Sequence, residues 1–240
     1  MGGEHDRMTA AEAASVIGWW IEAGVDVAIQ EKPRAWLGEA APHSPVPDGT
    51  AQTPFAAGPD ELPTNLEAFH GWLGESPALP LAQPNGRRVL PKGAEAAEIM
   101  LLADIPTAED AAENQPIGGQ AWELTERMLA AIGFSAEQAY VATLTCVHNP
   151  GSRLTDKDLE ACAAIARRHI ALAKPKRLLL LGDTPNRALL GKSLTTARGH
   201  VHKIEGVRTV ATFHPRQLLQ RASDKALAWR DLLLLMEEEV

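Results

Sequence analysis

The sequence predicts an α/β fold, a three-layer α/β/α domain built on a four-stranded parallel sheet. Four short apolar runs, at 99–103, 140–145, 177–182 and 207–213, are each typical of a strand covered on both faces. Helical patterns separate these runs, and strands that alternate with helices indicate a parallel sheet. The crossovers between the strands are expected to be right-handed.

The helices of this domain are recognised from apolar spacing and from their ends. The first contains Trp122 and Ile132 and closes at Gly133, which suits a C-terminal cap. A long helix over 159–173 carries Cys162 on or near its apolar side. A short helix at 185–190 and a last helix at 224–238 complete the two outer layers.

Residues 1–94 are predicted to lie outside the sheet domain. Thr9-Ala-Ala-Glu12 is a capping box that opens a helix ending at Gly24, within an N-terminal helical extension over 1–41. Frequent prolines and weak periodicity then indicate a linker over 42–94, interrupted by one short helix. The sheet domain is therefore expected to span 95–240.

Composition excludes several classes of protein. The 240 residues are 45% apolar and 22% charged, as in an ordinary globular protein. No apolar run approaches the length of a membrane span, and the start lacks the apolar core of a signal peptide, so we expect no membrane contact and a cytoplasmic location. We also expect a monomer. Two cysteines are too few for a four-thiolate metal site, and the net charge of −8 argues against broad nonspecific binding to nucleic acid.

The segment from Arg208 to Leu219 contains the clearest candidate for chemistry. A strand runs directly into His214-Pro215, where proline ends the ladder because it has no N–H to donate. A histidine at the carboxyl end of a strand lies where open α/β folds place their ligands. An incidental histidine in a turn is the alternative interpretation of the same residues.

Residues 98–233 resemble the uracil-DNA glycosylase superfamily, and within it family four and its proteobacterial relatives. The family's Gly-Glu-Ala-Pro-Gly loop corresponds to Ala103-Asp-Ile-Pro-Thr107. Its Pro-Gly-Asn-Arg segment corresponds to Asn149-Pro-Gly-Ser-Arg153, and its Leu-Arg-Gly turn to Ala197-Arg-Gly199. Its last motif, His-Pro-Ala-x-Leu-Leu-Arg, corresponds to His214-Pro-Arg-Gln-Leu-Leu-Gln220.

The resemblance implies a role for each matched residue and DNA as the partner. The implied catalytic residues are Asp104, which would position water, and His214, which would donate to the departing base. The implied base pocket contains Pro106, Ile117 and Thr143. The implied DNA contacts are Arg153, Arg198, Arg216 and Leu218, with Leu218 or its neighbour Leu219 filling the gap left by a flipped base.

The departures from the family pattern leave two functions open. Asp104 is one methylene shorter than the family's Glu, Ile117 replaces an aromatic ring, and Thr143 replaces a base-reading Asn. Only Cys162 matches one of the four cysteines that hold the family's iron–sulfur cluster, so we expect no metal and no cofactor. One hypothesis is a glycosylase with weak or altered activity on uracil or another deaminated base. The other is an inactive paralogue that binds DNA or protein.

Overall fold

The structure is a computed structural model that describes residues 62–83, 86–151 and 154–237. The predicted N-terminal extension over 1–41, the linker before residue 62 and the DNA-contact candidate Arg153 lie outside these ranges.

The central sheet confirms the predicted α/β architecture and adds a strand to it. Its strand order is β3-β2-β5-β7-β6, and the first four strands run parallel. The last, β6, pairs antiparallel with β7 at the edge, so the sheet has five strands rather than the predicted four. A separate two-stranded pair joins β1 to β4. The strands are β1 (Arg87–Arg88), β2 (Ile99–Ala103), β3 (Ala139–Thr143), β4 (Val147–His148), β5 (Arg177–Leu181), β6 (Val201–Ile204) and β7 (Val207–Thr212).

Strand β6 was not predicted because its sequence contains no apolar run. It is an edge strand, and its first three residues remain partly or largely exposed, so no apolar run marks it. A tight turn at Glu205-Gly206 joins it to β7. Both turn residues have positive φ, 49° and 80°, as a primed hairpin turn requires.

Helices cover both faces of the sheet. In β2, Leu101 and Ala103 face one apolar cluster, whereas Met100 and Leu102 face the other, as the two-residue strand period dictates. The helices α3 and α8 pack on the first face, and α4 and α5 pack on the second. The helices are α1 (Leu66–Glu75), α2 (Ala108–Glu113), α3 (Gly119–Ala131), α4 (Asp156–Ala173), α5 (Asp183–Leu190), α6 (Leu194–Ala197), α7 (Pro215–Gln220) and α8 (Lys225–Met236).

Described residues between 62 and 94 make packing contacts with the sheet domain. In α1, the short helix predicted within the linker, Phe69 and Leu73 join an apolar cluster with Val147 and Ile165. Polar contacts tie the same helix to the sheet, because the Tyr140 hydroxyl lies 2.6 Å from Nε2 of His70 and of His169. These contacts attach α1 to the sheet, and the predicted boundary at residue 95 stays a prediction.

Replacing Phe69 with alanine tests whether this segment is part of the fold. The ring is fully buried, so we expect the free energy of unfolding to fall by roughly 3–5 kcal/mol, measured by urea denaturation. Leu90→Ala is the control, because that side chain is 37% exposed and should cost much less. Equal stability of Phe69→Ala and the parent would restore the linker interpretation.

Among the described helices, none combines the length and the apolar content that a bilayer span would need.

Candidate active site

The carboxyl ends of the four parallel strands meet at one edge of the sheet. Asp104 directly follows β2, Gly182 directly follows β5, and His214 lies two residues beyond β7. A cavity of about 580 Å³ opens at this edge, which is where open α/β sheets bind ligands. Its lining residues are Asp104, Ile105, Thr107, Gly182, Asp183, Leu194, His214, Arg216, Gln217, Gln220 and Arg221.

The Asp104 carboxyl group is held by the turn that follows β5. The backbone N–H of Thr184 donates to Oδ1 at 3.0 Å. Gly182 adopts φ +97°, and a Cβ there would collide with Asp104 Oδ2, so only glycine leaves room for the carboxylate. Burial raises the pKa of Asp104 to about 6, and the charge of nearby Arg216 acts in the opposite direction.

His214 is almost fully buried and caps the helix that follows it. Its Nδ1 accepts a hydrogen bond from the backbone N–H of Arg216 at 3.2 Å, and Pro215 occupies the first helical position. Burial, and then the charge of Arg216, lowers the pKa of His214 to about 3. The imidazole is therefore neutral at physiological pH and can donate through only one ring nitrogen.

A buried carboxylate, Asp110, joins the loop after β2 to the loop after β7. Its Oδ2 accepts from the backbone N–H and the hydroxyl of Thr107. The backbone N–H of Asp110 donates in turn to Thr107 Oγ1, which completes the capping box of α2. The same Oδ2 accepts from Arg216 Nη2 at 2.9 Å, and Oδ1 accepts from the N–H of Gly118. Asp110 therefore fixes the loop after β2 relative to the loop after β7.

The three base-pocket candidates are buried, but within the described part of the chain they do not line this cavity. Ile117 is fully buried in the apolar cluster under the sheet. The carbonyl of Pro106 accepts from Nδ1 of His148 at 2.9 Å. Thr143 ends β3, and its Oγ1 is buried with no hydrogen-bond partner in the described residues.

Among the DNA-contact candidates, Arg198 and Leu218 are engaged inside the protein. Arg198 Nε donates to Asp231 at 2.8 Å, and its guanidinium lies 4.2 Å from the centre of the Phe213 ring. Leu218 is buried in the cluster around Phe213, whereas Leu219 is 42% exposed. Leu219 is thus the better placed of the two leucines to reach a DNA helix.

Several residues of the site were not assigned from sequence. Thr107-Ala-Glu-Asp110 has the spacing of a capping box, a signal that would have predicted the bond between these two side chains. Asp183 and Thr184 follow a strand-ending glycine, and that position alone marks them as close to the site. No local pattern identifies Gln217, Gln220 or Arg221 as cavity residues.

The cysteines do not fit an iron–sulfur cluster held by four thiolates. The chain has only two, Cys146 and Cys162, and both are buried. The Cys146 thiol donates to the carbonyl of Leu73, and burial raises the pKa of Cys162 to about 12. No group of three or more metal-ligating side chains occurs within the described ranges. These thiols act as core residues.

Most of the chain, including the sheet that carries this site, matches a known protein family. The family model of the uracil DNA glycosylase superfamily matches residues 90–233, which include every strand of the central sheet. This chain belongs to the uracil DNA glycosylase superfamily. The superfamily acts on DNA, and membership confirms the resemblance read from the motifs.

Similar proteins within the superfamily share about a quarter of their residues with this chain. The type-4 uracil-DNA glycosylase of Archaeoglobus fulgidus is 25% identical over 140 residues, or 54% of this chain and 70% of that protein. The type-4 uracil-DNA glycosylase of Pyrobaculum aerophilum is 22% identical over 181 residues, or 71% of this chain and 92% of that protein. A third, from Sulfurisphaera tokodaii, is 24% identical over 158 residues.

Proposed function

We propose that this chain is a DNA glycosylase that hydrolyses the N-glycosidic bond of uracil or another deaminated base, with weak or altered activity on uracil. The observation that carries the proposal is the placement of Asp104 and His214 in one cavity at the carboxyl ends of β2 and β7. This is the position that the superfamily motifs predict for the catalytic pair, and the similar proteins are named as uracil-DNA glycosylases.

The two side chains suit the two charges that develop during bond cleavage. Breaking the glycosidic bond leaves a sugar with oxocarbenium character and a base with negative charge. The Asp104 carboxylate can orient water and stabilise the sugar cation once it is ionised. His214, kept neutral by burial, can donate a hydrogen bond to an oxygen of the base without surrendering a proton.

The target base must leave the DNA stack to reach this cavity. Leu219 is exposed on α7, five residues beyond His214, and is suited to occupy the space that a flipped base vacates. Its neighbour Leu218 anchors the same helix in the core. We therefore assign the insertion role to Leu219 and an anchoring role to Leu218.

Weak uracil recognition follows from the residues at the base-reading positions. Thr143 offers one hydroxyl where an amide would offer a donor and an acceptor, and that hydroxyl lacks a partner in the described structure. Ile117 provides no ring for stacking and is buried away from the cavity. Each of these two differences should weaken the binding of uracil by about 1–3 kcal/mol, by analogy with bidentate base contacts and base stacking.

The second candidate function is an inactive paralogue that binds DNA or protein. The full burial of Ile117 favours it, because no aromatic side chain takes the stacking position there. The two functions differ in one measurable result, the formation of abasic sites.

The deciding experiment incubates the purified full chain with labelled oligonucleotides, single- and double-stranded, that contain uracil, hypoxanthine or xanthine. Alkali then reveals abasic sites as strand breaks. If the chain is a glycosylase, strand breaks should appear at one of these bases. The His214→Ala variant should produce none. DNA binding without cleavage at any base would establish the binding module instead.

The pH dependence of excision should follow Asp104. Its pKa of about 6 means that the carboxylate is mostly ionised above that pH and mostly protonated below it. Only the ionised form can orient water and stabilise the sugar cation, so single-turnover rates should rise from pH 5 to a plateau near pH 7. A rate that is constant between pH 5 and pH 8, at saturating protein, would contradict this role of Asp104.

Restoring the amide at position 143 should raise excision of uracil. We expect Thr143→Asn to increase the single-turnover rate roughly 5- to 150-fold, the range that corresponds to 1–3 kcal/mol. Thr143→Val is the matched control, because it keeps the shape and removes the hydroxyl. An Asn variant no faster than the Val variant would show that residue 143 does not read the base.

A further inference from the structure

Each ring nitrogen of His214 lies close to a hydrogen-bond donor, but the neutral ring carries a proton on one of the two nitrogens. Nδ1 lies 3.2 Å from the backbone N–H of Arg216, and Nε2 lies 3.3 Å from Nη2 of the same residue. A neutral imidazole has one donor and one acceptor nitrogen, so it cannot accept both bonds. Because Nδ1 accepts from the backbone, the proton lies on Nε2, and this N–H points at the Arg216 cation.

The Arg216 guanidinium is fixed beside this ring by the fold. Its Nη2 donates to Asp110, which is 1% exposed, and the Arg216 side chain itself is 25% exposed. Nε and Nη1 donate to no partner within residues 62–83, 86–151 and 154–237, and Arg216 lines the same cavity as Asp104 and His214. A permanent positive charge with free donors therefore stands in the cavity without need of a conformational change.

The charge is close enough to influence both catalytic groups. Arg216 lowers the pKa of Asp104 and that of His214, in each case acting as a charge after the larger effect of burial. Most of the Arg216 side chain is covered by the protein, so a DNA phosphate outside the cavity would have little access to it. The departing base, by contrast, would lie inside the cavity.

We propose that Arg216 is a further catalytic residue, whose guanidinium stabilises the negative charge on the departing base. The inference rests on the proposed function and adds to it. When the glycosidic bond breaks, its electron pair leaves with the base and spreads onto the base oxygens. Water adds to the sugar carbon and loses its proton to Asp104 or solvent, and the base anion later takes a proton from solvent. Arg216 donates hydrogen bonds throughout and transfers no proton.

The test varies the acidity of the leaving base. The full chain and Arg216→Gln are compared, in single turnover at saturating protein, on single-stranded oligonucleotides carrying uracil, 5-fluorouracil or 5-chlorouracil. Halogens at C5 withdraw electrons and make the base a better leaving group, which needs less help from a cation. Steric effects at C5 cancel when the variant is compared with the parent on the same base.

The proposal expects Arg216→Gln to slow uracil excision roughly 10²- to 10³-fold, as loss of one oxyanion donor does elsewhere, and to slow the halogenated bases distinctly less. Arg216→Lys should recover part of the loss because it keeps the charge. Arg127→Gln, which removes an exposed arginine on α3, should change none of the rates. Thermal melting of each variant separates loss of folding from loss of catalysis, and Arg216→Lys carries the comparison if the Gln variant unfolds.

The outcomes separate the inference from the function beneath it. Equal losses on all three bases would overturn the inference, because they indicate a positioning or DNA-binding role for Arg216. A weaker DNA affinity with unchanged single-turnover rates would overturn it in favour of a phosphate contact. Failure of the parent chain to form abasic sites at uracil, hypoxanthine, xanthine or either halogenated base would overturn the proposed function, and the inference with it.

Discussion

Asp104→Asn is expected to remove most or all excision and, at the same time, to stabilise the protein. The rate should fall roughly 10²- to 10⁴-fold, the usual contribution of a general base or water-orienting carboxylate. Asparagine can still accept the hydrogen bond from Thr184, so the loop should keep its shape. The rate is measured in single turnover on the base that the parent chain excises fastest.

The gain in stability follows from the direction of the pKa shift. The pKa of Asp104 in the folded protein, about 6, lies above its ordinary value of 3.8, so the folded state binds the proton more tightly than the unfolded chain. That contribution to stability is present below about pH 4 and is lost as the pH rises through 6. Above pH 7, Asp104→Asn should therefore raise the free energy of unfolding by up to about 2–3 kcal/mol.

Urea denaturation at pH 5 and pH 8 checks this prediction. The advantage of Asp104→Asn over the parent should be larger at pH 8. Asp183→Asn is a comparison, because this neighbouring carboxylate also raises the pKa of Asp104 and is itself a cavity residue. An Asn variant that is less stable than the parent at pH 8 would mean that the ionised carboxylate is favoured by the fold, against the assignment above.

Asp110→Ala is expected to cause the largest loss of stability of any single change considered. The side chain is fully buried, caps α2, and forms an ion pair with the guanidinium of Arg216. Breaking a buried ion pair from one side costs roughly 3–5 kcal/mol, and loss of a helix cap adds about 1 kcal/mol. We expect the free energy of unfolding, measured by urea denaturation, to fall by the sum of the two.

An exposed ion pair provides the control. Glu123→Ala removes the partner of Arg127 on α3, where both side chains are largely exposed, and should cost less than about 1 kcal/mol. Asp110→Asn keeps the shape of the side chain and part of its hydrogen bonding. Its loss of stability should therefore lie between those of Asp110→Ala and Glu123→Ala. A loss below 1 kcal/mol in Asp110→Ala would show that water or a rearranged loop replaces the carboxylate.

The sheet was predictable from sequence because its strands are buried on both faces. The runs at 99–103 and 177–181 contain little besides leucine, isoleucine and methionine, and their burial is complete or nearly so. The edge strand β6 has no such run, so its existence depends on pairing with β7 and not on its own composition. The packing of α1 is likewise not marked by a long apolar run, because it depends on single buried side chains such as Phe69.

The site was predictable only where a strand ends in a recognisable motif. Asp104 and His214 follow apolar strands, so their convergence follows from the parallel topology. Ile117 shows the limit of matching by position, because a residue aligned with a stacking ring turns out to be packed in the core. A direct Ile117→Phe replacement would overfill that core at a cost of about 1–3 kcal/mol, so restoring a stacking ring requires a different position.

Gly182 and Asp104, which lie far apart in the sequence, share one small space at the strand ends. The missing side chain of Gly182 is the space into which the Asp104 carboxylate fits, so residues 104 and 182 cannot change independently. A longer acid at 104 would need a different path past the turn after β5, and any side chain at 182 would expel the acid already there. The short carboxylate of Asp104 and the missing side chain of Gly182 therefore form a matched pair, in which the turn after β5 limits how far the acid can reach.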